Sequence, residues 1–380
     1  MRQSRYRITA LEPSDKLDAF IEVPWTVFKD DAHWSPPLRF ERREIVSAKA
    51  NPYFAHAKAR YFLATRDGVP VGRVSAQICE LVQQRMGQGT GQFGFFDCID
   101  DAALAQDLLA AAEGWLQENG MRRVLGPFSL SINEEVGMLI DGFETPPCML
   151  MGHARPYYRD FMEAAGYRKA IDMYAYWLDI TSDMPPNIQK LIDWGLAHPR
   201  LHIRDVAMKR FDEEIRVVLD IFNDAWRDNW GYIPLTEAEI AKTAKDLRPL
   251  IKPYNTRIIE YDGVPAAFMV ALPDLNRMVR DLDGRLLPFG WAKLAYRLLR
   301  DRHEVRRVPL MGVRKALQKG RLGGVMAMML IDTIRQKTVA RGGRYGELSW
   351  ILEDNRPMRS LLEAFGCQIY KTYRVFEKAL

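Results

Sequence analysis

The chain has 380 residues, 48% of them apolar and 27% charged, the composition of folded rather than disordered protein. That length exceeds a usual single core, so two domains are expected. Fifty-four basic against 49 acidic residues leave a net charge of +5, too mild to signal a nucleic-acid partner.

The N-terminal stretch MRQSRYRITALEPSD has no apolar h-region, and no apolar run reaches membrane-spanning length. Cys79, Cys98, Cys148 and Cys367 lie far apart without metal-ligand spacing. They read as reduced thiols of a soluble, cytoplasmic protein. The six histidines form no ligand pair, so no metal is expected.

Tyr6–Leu11 is predicted as a first strand. Lys16–Phe28 carries apolar residues at helical spacing, and Pro36–Pro37 ends any helix. Phe40–Ala50 is a second helix. YFLATRDGVPVGRVSAQI reads as a hairpin turning at Asp67–Gly68. Phe93–Cys98 is a strand, followed by helix Ala102–Asn119 with Gly120 at its C-terminal end. The connection between them, DCIDDAALAQD, is acidic and lacks glycine, so it should repel phosphate. Strand Arg123–Leu125 precedes a long loop rich in Gly, Pro and polar residues. Its Asn133, Glu134 and His153 are candidate substrate contacts, though such groups also serve simply to satisfy turns. Helix Tyr157–Ala165, a stop at Gly166 and two closing strands over Tyr167–Ile180 complete the half.

The second half repeats this plan. RDGVPVG recurs as YDGVPAA, and Gly166 is answered by Gly366 at the end of a matching helix. A repeat of this length means two copies of one domain, joined through Thr181–His198. Leu201–Met208 is a strand and Glu213–Trp226 a helix. An aromatic loop containing Trp230, a further candidate substrate contact, precedes a helix capped by Thr236. Arg257–Tyr261 and Pro265–Leu272 form the second hairpin. The insertion Pro273–Arg307 holds an amphipathic helix, Gly290–Arg302, suited to packing, to a lid or to a membrane surface.

From Val308 the pattern is a short strand, a basic glycine-bearing loop and an apolar helix, VPLMGVRKALQKGRLGGVMAMMLIDTI. Strand, glycine loop and helix N-terminus together make an anion cradle. Strand Glu347–Ile351 follows, then Glu353, Asp354, Asn355 and RPMRSLLEAFGCQIYKTYRVFEK. This order resembles the C-terminal half of the GCN5-related N-acetyltransferase (GNAT) family. There a strand and loop hold the coenzyme A pyrophosphate, and a helix of pattern N-x-P … Y-E-K-x-G-F precedes two antiparallel strands. Asn355, Pro357, Leu362, Glu363, Gly366 and Cys367 stand at those places. The family's loop pattern, Q/R-x-x-G-x-G/A, is matched in part. Lys319 takes the first place, Leu322 replaces the first Gly, and Gly324 matches the last.

The resemblance implies an α/β (α+β) fold of two tandem GNAT-like domains, each a mixed, mostly antiparallel sheet flanked by helices. Residues 1–180 would be a degenerate first copy, 181–200 a linker helix and 201–380 the second copy. It further implies acetyl-CoA or a longer acyl-CoA as co-substrate. Met311, Gly312, Val313, Lys319, Gly320, Arg321, Leu322, Gly323, Gly324 and Asn355 would hold it. Transfer to an amine needs a group to take the amine's proton. Glu347 is the candidate base by position, or equally an exposed edge-strand carboxylate. Asn355 serves the coenzyme A arm or caps its helix. The acid the family often takes from a Tyr is missing, because Leu362 stands there. Tyr370 and Tyr373 are the nearby substitutes, or core aromatics.

The activity implied is an acyl-CoA-dependent N-acyltransferase acting on a small-molecule amine or amino-acid acceptor. One alternative is a Fem-like aminoacyl transferase drawing on charged tRNA. The modest net charge and the absence of a long basic helix speak against it. The other is a non-catalytic acyl-CoA-binding protein, for which the missing Tyr speaks.

Overall fold

A computed structural model of the chain describes residues 6–380. The elements of the first half are β1 (Arg7–Leu11), α1 (Asp18–Val27), α2 (Arg39–Val46), β2 (Ala57–Arg66), β3 (Val69–Cys79), α3 (Glu80–Met86) and β4 (Thr90–Cys98). They continue with α4 (Ala102–Glu118), β5 (Arg123–Gly126), β6 (Phe128–Ser129), β7 (Glu135–Val136), β8 (Met138–Asp141), α5 (Tyr158–Ala164) and β9 (Arg168–Asp179). The second half begins with α6 (Pro186–Leu196), β10 (Leu201–Asp205), α7 (Phe211–Trp226), α8 (Glu237–Leu247), β11 (Thr256–Tyr261), β12 (Val264–Pro273) and α9 (Leu275–Val279). It ends with α10 (Gly290–Arg300), β13 (Val305–Val313), α11 (Lys315–Gln318), α12 (Arg321–Val339), β14 (Tyr345–Leu352), α13 (Arg356–Ala364) and β15 (Gln368–Ala379).

The chain forms two compact units that are not simple halves. Unit 1 comprises Met1–Met173, Leu275–Ala292 and Lys371–Leu380; unit 2 comprises Tyr174–Asp274 and Lys293–Tyr370. In unit 1, β1 to β4 pair in antiparallel order, β4 pairs β5 in parallel, and β15 pairs β5 in antiparallel. Unit 2 repeats the plan: β10 to β13 run antiparallel and β13 pairs β14 in parallel. The two closing strands expected at each end are instead one long strand apiece, β9 and β15. Each crosses the unit boundary. The last residues of the chain therefore complete the first unit's sheet, and residues 174–179 lie beside β14 in unit 2.

The repeat is exact down to backbone angles at its turns. Asp67 and Gly68 have φ of 51° and 79°, and Asp262 and Gly263 have 51° and 76°. Only residues that tolerate positive φ fit the two-residue hairpin turn. Both hairpins then shift register just before the prolines, at Ala64/Thr65 opposite Pro70 and at Ile259/Glu260 opposite Pro265. Helix α8 starts on the expected Thr236, in a capping box with Glu239. The segment expected as a linker, around α6, packs into the unit 2 core through Ile188 and Ile192. A Cβ on Gly195 would lie 2.5 Å from the Met329 sulfur and a Val325 methyl of α12, so those side chains would have to shift to admit it. Helix α10, whose pattern also suited packing, has no buried residue.

Candidate functional site

In unit 2, β13 runs through Arg314 and α11 into α12. The glycines expected in a loop are divided by the structure. Gly320 is the N-cap of α12, and Gly323 and Gly324 lie inside its first turn. Two of the four glycines are consumed by packing. A Cβ on Gly323 would sit 2.4 Å from the Leu317 carbonyl oxygen, and one on Gly312 would sit 2.9 Å from the Phe268 ring. The other two are open: Gly324 has nothing within 4 Å, and Gly320 meets only the Leu322 nitrogen at 4.0 Å. No side chain caps the helix; the Gly323 N–H turns back to the Gly320 carbonyl at 3.2 Å, which leaves the N–H groups ahead of it and the positive end of the dipole to an anion.

The basic residues around this helix start are also divided. Arg314 is tied to Asp220 at 2.5 Å and to the Pro265 carbonyl at 2.8 Å. Lys315 pairs with Asp228, and its backbone N–H reaches Asp224 at 2.7 Å. Arg321 lies over the Trp194 ring at 5.3 Å. Lys319 is exposed and has no ion pair among the described residues. Leu322 packs against the core cluster. The carbonyls of Met311 and Val313 accept from Trp226 Nε1 and Gln318 Nε2 at 3.0 and 2.8 Å. Those two residues thus shape the end of the strand. An uncapped helix start with two open glycines and one uncommitted lysine fits a diphosphate.

The equivalent helix start in unit 1 is closed. Asp101 caps α4 by accepting from the Leu104 N–H at 3.2 Å, and it pairs with Arg66 at 2.9 Å. A carboxylate occupies the place where a phosphate would go.

Glu347 of β14 stands opposite Arg307 of β13. It is not an exposed edge carboxylate: its side chain is 0% exposed and that of Arg307 is 1% exposed, with 3.4 Å between them. The Arg307 guanidinium also lies over Trp350 at 5.2 Å. Just beyond this pair, after Val308 and Leu348, the two strands part. Tyr370 packs on Trp177, which packs on Tyr345, each at 5.2 Å. Tyr373 belongs to the other unit. It is buried in unit 1, opposite Leu139 and against Gly137. Glu347 and Tyr370 thus share unit 2, and Tyr373 does not. Asn355 is the N-cap of α13, accepting from the Met358 N–H at 3.3 Å. Trp230 lies half-buried in the turn after α7.

Unit 1 holds a cleft of about 840 Å³, its mouth included, where β4 and β5 part beyond Gln92 and Leu125. Phe28, Trp34, Phe95, Phe96, Met138 and Met151 supply its apolar walls. Three charged groupings line it or stand behind the lining: Arg42 with Glu135, Arg73 with Asp97, and His153 with Asp31 and Arg155. His153 Nε2 meets Asp31 Oδ2 at 2.9 Å, and Arg155 reaches the same oxygen at 3.2 Å. The hydrogen bond to His153 holds the Asp31 carboxyl well below the usual range, with help from His33 and Arg155. Burial pushes Asp97 up, against the pull of Arg73 at 2.7 Å. Asn133 and Glu134 do not line the cleft. They sit in the turn before β7, where Ser131 accepts both backbone N–H groups, and the neighbouring Glu135 faces the cleft instead. Asp31, Ser35, Arg42, Arg73 and Asp97 had no local motif to mark them.

No family model matches the chain. Protein YghO of Escherichia coli K12 is 43% identical over 373 residues, covering 98% of this chain and 95% of that protein. A protein of Caulobacter vibrioides named bacterial ceramide synthase is 43% identical over 366 residues, covering 96% and 95%. Among solved structures, a tandem GNAT protein from the clavulanic acid biosynthesis pathway is similar, with a TM-score of 0.57 at 13% identity over 98% of each chain. A GCN5-related N-acetyltransferase from Sphaerobacter thermophilus gives 0.56 at 13% identity over 99% and 96%. At those identities the two structures establish the fold.

Proposed function

Starting from a chain that belongs to the family of YghO and the Caulobacter protein named ceramide synthase and that has the fold of GCN5-related N-acetyltransferases, we propose an acyl-CoA-dependent N-acyltransferase that acts in the cytoplasm. The observation that carries this reading is the open, uncapped start of α12 in unit 2 beside the capped start of α4 in unit 1. We take the first as the coenzyme A diphosphate site. The leading N–H groups of α12 would bind the phosphates, Gly320 and Gly324 would leave room for them, and Lys319 would add a mobile positive charge. Acyl-CoA would supply an acyl group already activated as a thioester.

The acceptor class comes from the relative's name. Ceramide is the N-acylated form of a long-chain amino alcohol, so the acceptor proposed here is a long-chain amine of that kind and the donor a long-chain acyl-CoA. Among the described residues no helix is long and apolar enough to cross a membrane. Such substrates would have to reach the protein from a lipid surface or a carrier.

The test is Gly320→Asp, which gives α12 the cap that α4 already has. Stability should stay level or rise by a few tenths of a kcal/mol, because Asp is at least as good an N-cap as Gly. Coenzyme A should nevertheless bind at least about tenfold more weakly, since the new carboxylate faces the diphosphate. Thermal unfolding and calorimetric titration with free coenzyme A read the two effects separately. Equal coenzyme A affinity in variant and wild type would remove the donor site from α12, and the transferase reading with it.

A further inference from the structure

The unit 1 cleft contains polar atoms that the protein itself leaves unsatisfied. Nε2 of His153 is engaged by Asp31, while the other ring nitrogen, Nδ1, is buried with no hydrogen-bond partner. The His153 side chain is only 4% exposed. Ser35 Oγ and Arg42 Nε are likewise buried and unpartnered, and all three residues line the same space. Buried polar groups are normally paired, and leaving one unpaired costs about 1–3 kcal/mol. Three around one cleft point to a ligand with matching groups. Arg42 Nε can only donate, so it requires an oxygen acceptor. With Nε2–H donated to ionised Asp31, Nδ1 can only accept, so it requires an N–H or O–H. Ser35 can do either. The charges around them pair off, Arg42 with Glu135, Arg73 with Asp97, and Arg155 with Asp31. The walls beyond are aromatic and methionine side chains.

We propose that the unit 1 cleft receives the head of a 2-amino alcohol, its nitrogen donating to His153 Nδ1 and its hydroxyl oxygen accepting from Arg42 Nε. The apolar walls take the first carbons of the attached chain. This deepens the transferase reading, on which it rests for the identity of the acceptor. Asp31 is a positioning residue: it fixes which ring nitrogen carries the proton. Its own charge persists through the neutral range because His153 and Arg155 hold it ionised. The groups facing His153 are Asp31 and Arg155, with Arg42, Glu135, Arg73 and Asp97 around the cleft.

The test is titration of the full chain, without any thioester, with a short-chain, water-soluble 2-amino-1,3-diol. The matching diol without the amine is the control. Wild type should prefer the amine compound at least about tenfold, and His153→Gln should abolish that preference. Ser35→Ala, a change too small to endanger folding, should weaken binding severalfold. Asp31→Asn should also reduce the amine preference, because an amide facing Nε2 no longer fixes the proton there and Nδ1 ceases to be a dedicated acceptor. A purely structural Asp31 would lower the melting temperature and leave that preference unchanged. Equal binding of diol and amino diol, or wild-type preference in His153→Gln, overturns the proposal. Because no acyl donor is present, that result is separate from a failure of Gly320→Asp to weaken coenzyme A binding.

A second observation stands independently. Helix α10 and the turn before it expose their apolar side chains: Leu287 is 81% exposed, Phe289 78% and Leu299 84%, with Trp291 and Tyr296 also exposed. The same stretch, residues 285–302, carries five basic residues, Arg285, Lys293, Arg297, Arg300 and Arg302, against the single acidic Asp301. Exposed aromatic and leucine side chains next to a basic run are complementary to an anionic lipid surface. We infer that this segment docks on an anionic bilayer. The 380-residue chain should sediment with phosphatidylcholine vesicles containing phosphatidylglycerol and stay in the supernatant with phosphatidylcholine alone. The double change Phe289→Ser, Leu299→Ser should reduce sedimentation by about tenfold or more at unchanged melting temperature. No sedimentation with either vesicle, or equal sedimentation of the variant, overturns the inference.

Discussion

Glu347→Ala is expected to destabilise unit 2 by about 3–5 kcal/mol, because it leaves the Arg307 charge buried without this partner. Both side chains are removed from water and lie 3.4 Å apart across paired strands. Desolvating two ions costs several kcal/mol each, and only their mutual attraction and hydrogen bonds offset it. Taking away one therefore loses the attraction and keeps the penalty. Replacing both, as Glu347→Leu with Arg307→Met, should recover most of the loss or even exceed wild-type stability. Urea unfolding of the two singles and the double gives the coupling energy directly. The same series decides what Glu347 does. A base working on the acceptor amine would lose turnover in Glu347→Gln while its unfolding midpoint stayed put. Here the expectation is the reverse: the midpoint falls, and turnover declines only as far as the folded population does. A wild-type midpoint with collapsed turnover would return Glu347 to the chemistry.

How far the sequence revealed this molecule depends on how local each feature is. The hairpin turns were legible because Asp67–Gly68 and Asp262–Gly263 encode their own positive φ. The Thr236 cap was legible for the same reason, since its partner Glu239 is three residues away. The acidic start of α4 was legible because carboxylates favour a helix N-terminus, and Asp101 caps it. The start of α12 was misread by one turn. Gly323 and Gly324 look like loop residues because glycine weakens a helix, but Gly323 lies inside the helix to admit the Leu317 carbonyl, a tertiary requirement. The closing hairpins became single strands because their pairing partners are set by the whole fold, not by neighbouring residues. The unit 1 cleft was almost invisible. Asp31 and His153 are 122 positions apart, and Arg42 and Glu135 are 93 apart. In a sequence, a charged residue destined for burial looks like any surface charge. The long loop did mark His153 as worth watching, but not the aspartate that makes it a one-sided acceptor.

Gly94→Ala should cost unit 1 about 3 kcal/mol or more, enough to unfold it if its stability is ordinary. The added Cβ would lie 1.7 Å from the Phe128 carbonyl oxygen and 2.5 Å from its carbon. Those are backbone atoms, and they cannot swing aside as a side chain can. The usual cost of overpacking, about 1–3 kcal/mol, assumes that side chains give way, so here it is the lower bound. The effect bears on function because Gly94 lies on the strand that shapes the cleft. Phe95 follows with a φ of 45°, rare for an aromatic residue, and Asp97 comes two residues later. Gly324→Ala is the matched control, also a glycine to alanine change inside a regular element. With nothing within 4 Å of its Cβ and a helical backbone, it should stabilise by up to about 1 kcal/mol. Urea unfolding of the two variants should therefore move in opposite directions. If Gly94→Ala unfolds at the wild-type midpoint, β4 and the Phe128 carbonyl are not in close approach. The cleft walls would then stand elsewhere, and with them the placement of His153 and Arg42 around one cleft that the amine site requires.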